Sequence, residues 1–188
     1  MSSKIKATIW HAPFKIVCDC NEQIPYTFQG FISDARHGKL PIVVNTERRD
    51  LETADYTIDG LEDVICVERK SGDDLLSTLL NGKSQLDRHR RDNFFLELER
   101  MQHFDQSLIV VEADFIPWLR SIPLKSSANP KSVARTILAI QQDFRTTQWA
   151  WCSDRPCAEK YTFDFLNRFW KKGKENATLP LRKLPPKT

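Results

Sequence analysis

Residues Ser107 to Glu112 read SLIVVE, a nearly continuous apolar run. A strand with one wet face alternates apolar and polar residues, whereas an unbroken apolar strand is covered on both faces. Two covering layers are therefore required, and the flanking sequence offers helices to build them. Ser71 to Leu80 opens with a capping pattern and carries Leu75, Leu76, Leu79 and Leu80 on one helical face. Gln85 to His103 predicts a longer helix with Leu86, Phe94, Leu98 and Met101 as core positions, Pro130 to Phe144 an amphipathic helix that starts on proline, and Cys157 to Lys171 a final helix.

Further strands are predicted at Lys4 to Trp10 (alternating, at a sheet edge), Phe14 to Asp19, Pro41 to Thr46 and Gln148 to Cys152, with Asn21 to Asp34 mostly loop. Strands alternating with helices after an initial hairpin indicate an α/β sandwich around a mixed sheet. Residues 1–172 form the expected domain, and the basic, proline-rich stretch 173–188 reads as a disordered tail. No apolar run approaches the length of a membrane span, and no signal-peptide pattern opens the chain, so a cytosolic protein is expected, or a nuclear one if the source is eukaryotic.

The stretch that bears on chemistry is Asp55 to Lys70. Asp55-Tyr-Thr-Ile-Asp59 and Val64-Ile-Cys-Val-Glu-Arg-Lys70 are strand-like, and Gly60-Leu-Glu-Asp63 between them reads as a hairpin loop. Alternation puts Cys66, Glu68 and Lys70 on one face and Val67 and Arg69 on the other. A turn centred near Leu61 sets Asp55 opposite Glu68. An Asp, a Glu and a Lys on one patch of sheet suit phosphodiester hydrolysis, because Mg²⁺ needs only one or two hard carboxylate ligands and a lysine can orient water or offset phosphate charge. The competing reading is an ordinary surface ion pair between Glu68 and Lys70.

The net charge of +3 is small, but its distribution is uneven. Basic residues gather at Lys83 to Arg91 and Lys171 to Lys187, acidic residues between Glu47 and Asp74. Acid flanked by base suits a metal site that must also hold a polyanion. The five cysteines carry no export signal and predict no disulfide framework. The spacings of Cys18, Cys20, Cys152 and Cys157 are poor for structural zinc, and small apolar filler is the better reading. His11, His37, His89 and His103 show no ligand spacing.

Val67-Glu-Arg-Lys-Ser-Gly-Asp-Asp-Leu75 closely resembles the V-E-R-K-x-x-x-D-L signature of the XPF-type structure-specific endonucleases. Ala54-Asp55-Tyr56 stands where that family has G-D-Y, Asp19-Cys-Asn-Glu22 where it has D-x-R-E, and Leu79-Leu-Asn-Gly-Lys83 resembles its leucine-rich helix ending in N-G. The likeness spans residues 14–152. It implies a restriction-endonuclease-like three-layer core and a Mg²⁺-dependent endonuclease (Mn²⁺ as substitute) cutting branched, flap or fork DNA in repair, recombination or phage DNA metabolism. Carried over by position, Asp55, Glu68, Lys70, Arg69, Asp19, Glu22 and Asp74 become catalytic candidates, with Asp55, Glu68 and Asp19 as metal ligands. Asp74 equally fits a helix cap, and Arg69, on the far face, equally fits a structural role.

Two departures stand out. Ala54 replaces the family glycine, which an ordinary strand conformation tolerates. Asn21 replaces the arginine of D-x-R-E and removes a cation. The sequence leaves no room for the helix-hairpin-helix modules common in the family, so Lys83, Arg88, Arg90 and Arg91 are the candidate DNA-binding residues, against a reading as a solvated helix face. A homodimer or related partner subunit is expected from the resemblance, with Trp149, Trp151, Phe163, Phe165, Phe169 and Trp170 as apolar surface or as core. The rival to an enzyme is a catalytically silent DNA-binding or scaffolding partner. A nuclease for RNA or single strands is a third reading.

Overall fold

The computed structural model describes residues 8–33, 38–80 and 85–176, the side chains of 85–88 and 174–176 excepted. Its strands are β1 (Trp10–Asp19), β2 (Ile42–Arg49), β3 (Tyr56–Ile58), β4 (Ile65–Ser71), β5 (Gln106–Glu112) and β6 (Thr147–Cys152). Its helices are α1 (Gly72–Leu79), α2 (Gln85–Met101), α3 (Phe115–Lys125), α4 (Pro130–Asp143) and α5 (Arg155–Asn176). The strands form one sheet in the order β2-β1-β3-β4-β5-β6. β3 runs antiparallel to both β1 and β4, and the remaining pairs are parallel, so the sheet is mixed.

Strand β5 behaves as its apolar run requires. Leu108 and Val110 face a core closed by Ala158, Phe163 and Leu166 of α5. Ile109 and Val111 face the opposite core, closed by α1 to α4 through Leu75, Leu98, Ile122 and Ile137. Each such side chain contributes about 1.5–3 kcal/mol on burial, which is why the sheet takes a helical layer on each side. The result is the expected three-layer α/β sandwich.

Four features depart from the expectation. Trp10 to Asp19 is one strand rather than the start of a second one, with Pro13 at the register shift between His11 and Lys15, where its missing N–H removes no ladder bond. Lys4 to Ala7 of the expected first strand lie outside the described residues. No element is expected from the sequence at 113–129, yet α3 forms there with Pro117 and Pro123 within its range. It is held by Trp118 and Ile122, both buried in the α1–α4 core, so tertiary packing overrides propensity. Helix α5 continues to Asn176, four residues into the expected tail, and residues 177–188 lie outside the described range. Ala54 does not take an ordinary strand conformation: its φ is 62°, in the left-handed region. The family glycine has its physical reason there.

All five cysteines are free. Cys18, Cys66 and Cys152 are buried, as filler should be, and burial pushes the Cys18 thiol up to about 11. Cys20 and Cys157 are exposed, so the filler reading fails for these two. No described helix is long and apolar enough to cross a membrane.

Candidate active site

Hairpin register places the first two acids. Tyr56 pairs with Val67, so Asp55 falls opposite Glu68, and the Asp55 N–H donates to the Val67 carbonyl at 3.1 Å. On the other side Cys18 pairs with Tyr56, and the Asp19 N–H donates to the Asp55 carbonyl at 2.8 Å. Opposed residues of an antiparallel ladder share a face, with Cβ atoms roughly 4.5–5.5 Å apart. Asp19, Asp55 and Glu68 thus form a row across β1, β3 and β4, on the face covered by α1 to α4.

The row is poorly solvated. Glu68 is 8% exposed and Asp19 likewise. Burial pushes the Asp55 carboxyl well above its usual range, with the Glu68 charge adding to the effect and the Arg69 N–H opposing it. That N–H donates to Asp55 Oδ2 at 2.7 Å. Burial also pushes the Glu68 carboxyl up, Lys70 pulls it down, and Glu97 pushes it up again. Lys70 Nζ lies 2.8 Å from Glu68 Oε1 and 3.5 Å from Asp74 Oδ2. Burial pulls the pKa of this lysine down, but the surrounding carboxylates, Glu68 first, outweigh it, raise the pKa above the ordinary value and keep the group charged. Its ammonium also sits 5.4 Å from the Phe94 ring centroid.

Asp19 is held by the Leu51 N–H, which donates to its Oδ1 at 3.1 Å. Ser71, not Asp74, caps α1: its hydroxyl accepts from the Asp74 N–H at 3.1 Å. The Asp74 carboxylate is left to pair with Lys70.

Arg69 and Glu22 meet on the opposite face. The Arg69 guanidinium grips Glu112 through two bonds of 2.7 and 2.9 Å and reaches Glu22 at 3.3 Å. Tyr26 donates its hydroxyl to Glu112 Oε1 at 3.0 Å, and Arg155 reaches the same oxygen at 3.1 Å. Burial pushes the Glu112 carboxyl up, but Arg69 overrides it and holds the group below its usual value. The seven catalytic candidates therefore divide into Asp19, Asp55, Glu68, Lys70 and Asp74 on one face and Glu22 and Arg69 on the other.

Glu97, Glu112, Tyr26 and Arg155 are additional members of these networks that the sequence reading did not single out. Glu97 carried a signal: it lies three residues after Phe94 and one before Leu98, an acid on an apolar helical face. Glu112 carried another, as an acid ending an apolar strand. Of the candidate DNA-binding residues, Lys83 lies outside the described residues, as does the Arg88 side chain. Arg90 is exposed, and the Arg91 guanidinium lies 5.5 Å from the Phe95 ring centroid. Phe163 is buried, and Trp149, Trp151, Phe165, Phe169 and Trp170 are half-buried and pack against the two cores.

Among the described residues, no group of three or more His, Cys, Asp or Glu side chains is already drawn into metal-binding geometry. Asp55 and Glu68, two facing hard-oxygen donors whose carboxyls burial pushes up against the pull of the Arg69 N–H and Lys70, nevertheless match what Mg²⁺ asks of a protein.

The ERCC4 domain family model matches residues 22–165. This chain belongs to the ERCC4 domain family. In fold the ERCC4 domain is similar to XPF from Aeropyrum pernix, with a TM-score of 0.56 and 19% identity over 87% of this chain and 68% of that one. A comparison with curated proteins finds no match. Family and fold together make this an XPF-type nuclease domain, and nucleases of that type act on DNA. The matched segment holds Glu22, Asp55, Glu68, Arg69, Lys70 and Asp74, while Asp19 lies just before it.

Proposed function

We propose that this ERCC4 domain is a divalent-metal-dependent DNA endonuclease that hydrolyses phosphodiesters at branched, flap or fork structures. The observation that carries the reading is the face-to-face placement of half-buried Asp55 and buried Glu68, with Lys70 2.8 Å from Glu68. Two carboxylates forced together out of water repel each other, a cost with no structural use unless a cation joins them.

Asp55 and Glu68 would hold Mg²⁺, with Mn²⁺ as substitute and Asp19 as a further acid at the end of the row. The bound ion would supply Lewis acidity toward the phosphate and a more acidic water. Lys70 stays protonated and offers a fixed positive charge where negative charge builds as water attacks phosphorus and the bond to the leaving sugar oxygen breaks. Asp74 holds Lys70 from the other side. Arg69 orients Asp55 through its backbone N–H, and its guanidinium anchors that strand from the opposite face. The arginines of α2 supply sequence-independent contacts to the DNA backbone. A homodimer or related subunit is a further part of the proposal, checked by sedimentation.

The rival is a catalytically silent DNA-binding or scaffolding partner. One observation favours it: Glu68 is already engaged by Lys70, and no third ligand stands in place among the described residues. Cleavage of labelled flap, fork, duplex and single-stranded DNA in Mg²⁺, Mn²⁺ or EDTA, beside Asp55→Ala and Glu68→Ala, decides between them. Metal-dependent cutting lost in both variants supports the enzyme. Binding without cutting under any metal supports the scaffold.

A further inference from the structure

We infer that Glu97 is a positioning residue that sets the Asp55 carboxylate opposite Glu68 by gripping the backbone immediately before it. This rests on the reading of Asp55 and Glu68 as the metal-holding pair.

The argument begins with Ala54. The left-handed region is unfavourable for an L-residue, and nothing in the alanine side chain offsets the strain. The conformation at φ 62° must be imposed from outside. Glu97 Oε1 accepts the Ala54 N–H at 2.6 Å, across 43 residues of sequence. Ala54 is buried, so without Glu97 this N–H would go unsatisfied. The other Glu97 oxygen pairs with Arg100, whose Nε donates to Thr53 Oγ1 at 3.2 Å. Residues 53 and 54 are therefore both clasped by one face of α2.

The next residue is Asp55, whose own N–H begins the ladder to Val67. The left-handed turn at Ala54 determines the direction in which the chain enters that ladder. Released from Glu97, Ala54 relaxes toward negative φ, the peptide plane rotates, and the Asp55 carboxylate swings relative to Glu68. The Glu97 side chain is only 17% exposed, which excludes a solvated helix face as its explanation. Its carboxylate is already committed to Ala54 and Arg100, so it acts through Asp55 rather than on the ion.

The test uses Glu97→Ala and Glu97→Gln in the full chain. Gln keeps an oxygen that accepts the Ala54 N–H but lacks the charge. Three readouts apply: amide exchange across residues 53–56, the Mg²⁺ concentration for half-maximal thermal stabilisation, and kcat with KM on flap DNA. In Glu97→Ala, exchange accelerates and the Mg²⁺ midpoint rises, each by about tenfold, and kcat falls by about tenfold or more while KM for DNA stays within about twofold. Glu97→Gln remains within about threefold of the parent on each measure. Positioning is overturned if Glu97→Ala leaves exchange and metal midpoint unchanged, or if Gln fails as badly as Ala, since the charge would then be what matters. Should Glu97→Ala not fold, Glu97→Asp, one methylene short of Ala54, replaces it under the same criteria. A parent protein that cuts no DNA overturns the nuclease reading alone, while exchange and metal midpoint still decide the role of Glu97.

Discussion

Asp55 and Arg69 are joined through the backbone: the Arg69 N–H donates to Asp55 Oδ2 at 2.7 Å while the Arg69 guanidinium is anchored on the other side of the sheet. One residue thus ties the acidic row on one face to the Glu112 cluster on the opposite face. Strand alternation makes this possible, because a strand's backbone bonds lie in the sheet plane and its side chains leave it alternately.

Glu112→Ala leaves the Arg69 guanidinium, 15% exposed, with Glu22 as its remaining ion-pair partner among the described residues. Urea denaturation should show a loss of about 3 kcal/mol, the usual consequence of orphaning a buried charge. The Glu112 carboxyl is held below its ordinary 4.5, so its contribution is present above that value and is lost as pH falls through the folded value. The deficit of the variant should accordingly shrink in acid. A loss of a few tenths of a kcal/mol would show the pair to be solvated.

The acidic row has the opposite sign. Asp55 and Glu68 are shifted above their reference values of 3.8 and 4.5, so the folded chain binds more protons than the unfolded one. Their unfavourable effect is absent below the reference values and grows as pH rises through the folded ones. Asp55→Asn should therefore raise the thermal midpoint in EDTA at pH 7, with the gain vanishing toward about pH 4. Mg²⁺ should raise the midpoint of the parent more at pH 8 than at pH 6, because it competes with protons for the same oxygens. A gain independent of pH would mean the two acids are not desolvated together.

Gly72 follows the V-E-R-K run and lies against Trp118. A Cβ there would meet Trp118 Cδ1 at 2.8 Å, and the indole N–H donates to the Gly72 carbonyl at 2.9 Å. Gly72→Ala must displace the indole from the α1–α4 core. A destabilisation of about 1–3 kcal/mol is expected in chemical denaturation, accompanied by a change in tryptophan fluorescence. A neutral substitution would show that the indole is free to move.

At Ala54, Val should be far worse than Gly. A β-branched residue at φ 62° adds strain of about 1–2 kcal/mol or more, and Ala54→Val should lower the thermal midpoint and weaken Mg²⁺ stabilisation together. Ala54→Gly relieves strain but loses a buried methyl and gains unfolded-state entropy, so it should stay within about 1 kcal/mol of the parent. Equal behaviour of the two variants would mean the backbone can relax without consequence.

The sequence by itself determined the three layers, because SLIVVE has no polar face to present to water and Leu75, Leu76, Leu79 and Leu80 recur at helical spacing. It also determined that Glu68 and Lys70 share a face through period-two alternation, whereas the register that sets Asp55 opposite Glu68 depended on where the turn fell, and the pairing of Tyr56 with Val67 fixes it. What only the tertiary structure decided depends on contacts between residues far apart in the chain. The pairing of Arg69 with Glu112 needs β4 beside β5. The left-handed Ala54 needs an acid from a helix that begins thirty-one residues later. Helix α3 forms against its own prolines because Trp118 and Ile122 gain a core. Local propensity is worth tenths of a kcal/mol to about 3 kcal/mol per residue, and where burial outweighs it, as at α3, no short window of sequence reveals the outcome.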